Sequence, residues 1–206
     1  VTFFKKWYVP NRMFFIAVGD FNTDEMEGKV RNAFKEFKTS PGSPPHRIPE
    51  PNQKETRSIL SHGNFKETYL QIAFPIPSAR DEDTPALDAL SQVLGGGEPS
   101  RLVQKVKLEM GLVHSIYASS YTPKDPGLFV IGATLPPENV GRGLEAILEE
   151  VNRLRTEGVT PEELHRVKVN IESDLIYNRQ TVQGQAGKIG YYEVTAGDFQ
   201  FEKEYM

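Results

Sequence analysis

Cysteine is absent from the 206 residues, which excludes disulfides, thiolate metal ligands and a cysteine nucleophile. That absence assigns no compartment, because oxidising and reducing spaces both accept cysteine-free chains. Histidine is scarce: the chain holds only His46, His62, His114 and His165, and no two stand four apart, the spacing that brings two imidazoles of one helix onto a zinc ion. Zinc needs three or four ligands converging at ~2.0–2.3 Å, so no metal site and no metal cofactor are expected in this chain. Glu162 and His165 share a helix face, but a di-iron bundle needs a second such pair and two more glutamates. Acids beside the positive end of a helix account for the same residues.

No apolar run approaches the ~20 residues that cross a bilayer, so no membrane span is expected and the chain reads as soluble. No excess of positive charge exists either: the net charge is −4, with Lys and Arg scattered among Asp and Glu, and nucleic acid is therefore not an expected partner. Residues Val1–Tyr8 lack a basic start, an apolar centre and a small-residue cleavage site, so they are not a signal peptide. No Gly-x-Ser-x-Gly elbow occurs, and the serines lack a neighbouring His with an orienting acid, which leaves a serine hydrolase without support. Leu94-Gly95-Gly96-Gly97-Glu98-Pro99-Ser100-Arg101 superficially suggests a phosphate cradle. A helix rather than a strand precedes it, and Glu98 would repel phosphate. The reading preferred here is a hinge between helices, whose bare backbone can meet an extended ligand. No catalytic residue is expected in the chain.

What is present is an ordinary globular composition, 38% hydrophobic and 25% charged, enough for one domain or for one domain with part of another. Trp7–Asn11 reads as a helix end and turn, and Met13–Val18 as a buried strand. Asn22 and Glu25 then open a helix whose Met26, Val30, Ala33, Phe34 and Phe37 share a face. Thr39–Thr56 holds five prolines and no periodicity, the composition of an extended linker. Beyond it Arg57–Ser61 and Thr68–Phe74 read as strands, with Pro75-Ile76-Pro77 ending the ladder. Leu87–Leu94 marks a short helix, and a second follows the glycines with Leu102, Val103 and Val106 inward. His114–Tyr121 and Leu128–Leu135 form an antiparallel hairpin. Val140–Leu154 is a long amphipathic helix. Thr160-Pro161-Glu162-Glu163 caps the next, with Leu164, Val167, Ile171 and Leu175 as its buried stripe. Helix is expected to continue from Asn178 to Glu193, with Gly184, Gly187 and Gly190 letting another backbone approach. Gly197-Asp198 then caps a final helix running to Met206.

The expected fold class is α/β in the α+β two-layer sense, a mainly antiparallel sheet covered on one face by helices. Residues 1–38 read as the closing strand and helix of a preceding domain, 39–56 as a Pro-rich linker, and 57–206 as most of a second domain, with both chain ends cut mid-fold.

Several stretches, taken in order, resemble the pitrilysin (insulinase) family of zinc metallopeptidases, which includes the mitochondrial processing peptidases. Phe4–Asn11 through Ala17–Asp20 looks like the end of that family's first domain. Leu94–Leu102 with Glu109-Met110-Gly111-Leu112 is similar to the Leu-Gly-Gly-Gly-x-x-Ser-Arg-Leu and Glu-x-Gly-Leu stretches of its second. Asp125–Phe129, Gly158–Leu164 and Gly190–Asp198 fit the remainder in order. The resemblance implies that a zinc ion is held elsewhere, by an inverted His-x-x-Glu-His motif in an upstream domain, and this chain contains no such motif. It also implies an Arg and a Tyr seven residues apart that hold the substrate carbonyl. Lys107 and His114 occupy those positions here; Lys lacks the planar fork of Arg, and neutral His is a shorter substitute for a phenol. Two readings of the pair stay open. A different, related subunit supplies the Arg/Tyr function, or Lys107 is a solvated helix residue and His114 a strand-edge residue. By resemblance the substrate-binding candidates are Lys107, His114, Gly95, Gly96, Gly97 and Arg101, and the implied partners are a peptide substrate, an upstream zinc domain and that second subunit. The implied role is the non-catalytic, substrate-enclosing part of a zinc peptidase, with no activity in isolation. The alternative is a proteolytically inactive assembly subunit of the same fold.

Overall fold

The computed structural model describes residues 2–39, 50, 51 and 53–201. The chain divides into two compact units, Val1–Gly63 and Asn64–Met206.

The first unit holds α1 (Thr2–Trp7), a 3₁₀ turn at Pro10–Arg12 and α2 (Thr23–Phe34). Pro10 at the first position of the turn suits its fixed φ. The guanidinium of Arg12 lies over the Trp7 ring at 4.5 Å, and Phe4 stacks on Tyr8 at 4.5 Å. Asn22 caps α2 by accepting the Glu25 N–H at 3.0 Å. Met13–Val18 is not a strand. Strands are defined by a ladder, and all three described strands lie in the second unit, so the apolar run finds no pairing partner and Met13, Phe14 and Phe15 stay exposed. Arg57–Ser61 departs from expectation in the same way, with Ile59 94% exposed. The expected stretch Thr39–Thr56 lies largely outside the described residues.

The second unit is built on a three-stranded antiparallel sheet of order β1-β3-β2, with β1 Thr68–Ile76, β2 Ser115–Tyr121 and β3 Gly127–Leu135. Ile72 faces Ile131 and Ala118 faces Ile131 from the other side. The two-residue period sends Phe129, Ile131, Ala133 and Leu135 to one face, where α3 (Thr84–Gly95), α4 (Val140–Glu157) and a turn at Val103–Glu109 cover them. The opposite face carries Tyr69, Gln71, Ala73, Tyr117, Tyr121 and Leu128, all exposed. This is the one-sided layering that the alternation in the sequence implies.

Six details differ from the sequence reading. The β1 ladder runs through Pro75, opposite Leu128, to Ile76. Proline is tolerated because β1 is an edge strand and its nitrogen can face away from the partner. The period then turns the N–H and C=O groups of Tyr69, Gln71 and Ala73 outward as well. The helix after the glycines is a π-helix, Val103–Glu109. Its wide turn closes with Met110 N–H on Lys105 C=O at 3.0 Å and Leu112 N–H on Val106 C=O at 3.1 Å, around Gly111 at φ 61°. α5 (Pro161–Arg179) and α6 (Val182–Thr195) are separate helices, because the Thr181 side chain leaves the helical path to accept the Gly184 N–H. On α5 Val167 is buried, whereas Leu164 is exposed. A side chain at Gly184 would meet the Asn178 carbonyl, whereas Gly187 faces open space, so close approach is confined to the first of that pair. Asp198–Phe201 forms a turn, and the rest of the expected final helix lies outside the described residues. Among the described residues no helix is long and apolar enough to cross a membrane.

Candidate functional site

α3 ends in the glycine run because its last turn lies against β2. A Cβ on Gly95 would fall on the backbone N of Ala118, and one on Gly96 would collide with Gln92. Two of the three bare positions are therefore already filled by the protein itself. Gly97, at φ 81° with only the Pro99 ring near, faces open space. Ser100, fully buried, follows and returns its hydroxyl to the Gly97 carbonyl at 2.6 Å.

Arg101 points inward, not toward solvent. Its Nε donates to Glu163 Oε1 at 2.7 Å and its Nη2 to Glu163 Oε2 at 2.6 Å and to the Gly158 carbonyl at 2.8 Å. The two side chains are 13% and 16% exposed, so this is a fork-to-fork pair largely out of water. The hydrogen bonds from Arg101 hold the Glu163 carboxyl down at about 2, against the opposing effect of burial, with the Thr160 N–H assisting. The same bonds raise the Arg101 guanidinium above its ordinary value. Glu163 also closes the capping box of α5: its Oε2 accepts the Thr160 N–H at 2.9 Å, and its own N–H donates to the Thr160 hydroxyl at 3.2 Å.

Lys107 projects from the π-helix, exposed, with no hydrogen-bond or ion-pair partner among the described residues. Lys105 on the same turn pairs with Glu109 at 2.5 Å. His114 stands at the entry to β2, its N–H donated to the Thr134 carbonyl of β3 at 2.8 Å. Its ring is 56% exposed, with Nε2 3.6 Å from Glu67 Oε1 at the entry to β1, within reach of an ion pair when the imidazole is protonated. The sequence candidates thus fall into three places: Gly95 and Gly96 inside a helix–strand contact, Arg101 in a buried ion pair, and Gly97, Lys107 and His114 at the surface. Among the described residues no group of three or more His, Cys, Asp and Glu is placed to hold a metal ion. The described residues therefore do not fit a zinc site.

Sequence reasoning recognised Glu163 only as a cap; its bond to Arg101, 62 residues earlier, had no local signal. Glu67 beside His114, and Arg166, which donates to the Pro99 carbonyl at 3.2 Å, were likewise missed, since sequence spacing carries no trace of contacts across a fold.

The family model described as "Peptidase M16 inactive domain" matches residues 1–171. An uncharacterized zinc protease of Streptomyces coelicolor is 25% identical over 203 residues, which cover 95% of this chain and 44% of that protein. A solved protease structure from Helicobacter pylori superposes with a TM-score of 0.82 at 24% identity, covering 91% of this chain and 46% of its own. A solved peptidase M16 inactive domain from Pseudomonas fluorescens gives a TM-score of 0.58 at 23% identity, covering 68% of this chain and 34% of its own. The chain spans under half the length of the curated relatives it matches.

Proposed function

Because the chain belongs to the peptidase M16 family, as its inactive domain, we propose that it forms the non-catalytic wall of a peptide-holding chamber in a larger zinc-dependent peptidase. The observation that carries this reading is the bare sheet face. Helices seal one side of the sheet, while Tyr69, Gln71, Ala73, Tyr117, Tyr121 and Leu128 stand exposed on the other. Beside that face the outward N–H and C=O groups of β1 can accept an extended peptide as an added strand. Lys107 and His114, with Gly97, are the surface groups proposed to touch such a peptide. Neither supplies a planar fork or a phenol, so a related subunit or a further domain is proposed to provide the Arg/Tyr pair. Gly95, Gly96 and Arg101 are proposed to shape the wall rather than to contact substrate.

In this reading the catalytic zinc, which would polarise the scissile carbonyl and activate a water molecule, is held by the part of the parent outside these residues. Residues 1–38 are proposed as the closing segment of that upstream zinc-type domain, 39–56 as the linker and 57–206 as the wall domain. The exposure of Met13, Phe14 and Phe15 supports a segment made to be covered by more protein.

The test pairs two proteins with one unstructured reporter peptide. The 206-residue chain alone should not cleave it with or without added zinc, and the parent protein should cleave it and lose activity to a chelator. Chelator-sensitive cleavage by the chain alone would sink the proposal. A parent whose upstream half lacks His-x-x-Glu-His and cleaves nothing would favour a non-cleaving assembly subunit of the same fold.

A further inference from the structure

We infer that the first two turns of α5 are a clamp that holds the Gly95–Pro99 loop in a single shape, so that Glu163 and Arg166 are positioning residues for whatever the loop touches. Three consecutive glycines should make this the least ordered connection in the second unit, since glycine loses the most conformational freedom on being fixed. Instead, each carbonyl at its exposed end is taken by a side chain. The Gly97 carbonyl accepts the Ser100 hydroxyl at 2.6 Å, the Glu98 carbonyl accepts Gln104 Nε2 at 2.7 Å, and the Pro99 carbonyl accepts Arg166 Nη2 at 3.2 Å. Arg101, two residues beyond Pro99, is gripped by both oxygens of Glu163 and donates to the Gly158 carbonyl just before α5.

Glu163 and Arg166 are three apart on one helix, hence on one face; Arg166 reaches the loop at Pro99, and Glu163 holds Arg101 just beyond it. Glu163 is itself fixed by the capping box with Thr160. The order of the glycine loop is therefore tied to the start of a helix about sixty residues later. This inference concerns the loop alone and does not depend on the proposed peptide chamber.

Hydrogen exchange of the 206-residue chain tests it, read at the amides that the loop's shape protects. Gly96 N–H donates to Gln92, Gly97 N–H to Gly95, Ser100 N–H to Gly97 and Gln104 N–H to Ser100. Ile131 and Ala133 of β3 serve as the internal reference for global opening. With Glu163→Gln, and separately with Arg166→Ala, the loop amides should exchange on the order of tenfold faster, the scale of one lost charge-assisted hydrogen bond. The β3 amides should not change with Arg166→Ala and should rise by no more than the global loss of stability with Glu163→Gln, and Arg166→Lys should restore most of the protection. Loop amides that are unprotected in the unaltered chain, or indifferent to both substitutions, would overturn the inference. So would loop and β3 amides that accelerate together with Arg166→Ala, which would make that residue merely structural.

Discussion

Glu163 answers to two partners that chain order keeps far apart, the Thr160 N–H within its own helix and the Arg101 fork from across the fold. Its carboxyl titrates at about 2 in the folded chain, below its unfolded value, so the stability it contributes is complete above the unfolded value and is lost as pH falls through about 2. Glu163→Gln should therefore destabilise the chain near neutrality by about 2 kcal/mol. The gap between variant and parent stability curves should close as the pH is lowered through roughly 4 toward 2. Urea melts across that range would measure it, and a gap independent of pH would refute the ion-pair assignment. At this scale the sequence revealed half of the residue's work. Thr160-Pro161-Glu162-Glu163 announces a capping box because its chemistry is local. No spacing rule links residue 163 to residue 101, and Arg101 entered the sequence reading only as a substrate-binding candidate by resemblance.

The elements were legible wherever a period repeats. The alternation of Phe129, Ile131, Ala133 and Leu135 defines β3 and its buried face, and the helical spacing through Ile147 and Val151 defines α4. Illegible were features decided by tertiary pairing: β1 continuing through Pro75, the π geometry of Val103–Glu109, and the Met13–Val18 run that has strand composition without a strand partner. Packing between elements yields a prediction from two glycines. A methyl group on Gly95 would strike the β2 backbone at Ala118, whereas the atoms nearest to one on Gly132 belong to the ring of Tyr117, a side chain at the surface that can swing away. Gly95→Ala should cost about 1–3 kcal/mol, the range for forcing extra volume against an unyielding neighbour, and Gly132→Ala less than about 1. Thermal melts of the two variants give the comparison. Equal losses would mean that the α3–β2 contact is less close than described.

At the scale of the whole molecule, buried apolar surface is unevenly shared. The second unit encloses a continuous core from Ile76 through Ile147, whereas Val9 is the only buried hydrophobic residue described in the first. Amides of α2 should therefore exchange far faster than those of β3 in the isolated chain, since local stability follows buried contacts. Comparable protection in both would show that the first unit has a cohesion its exposed Phe14, Phe15 and Phe34 do not suggest. Pro75 bears on how such a chain survives at high concentration. An exposed sheet margin is a template on which identical molecules can stack without limit, the beginning of a fibril. At Pro75 the margin of β1 offers no amide hydrogen, so a newcomer can zip along Tyr69 to Ala73 and must then stop. Pro75 thereby confines the amide hydrogens on that margin to the stretch before it.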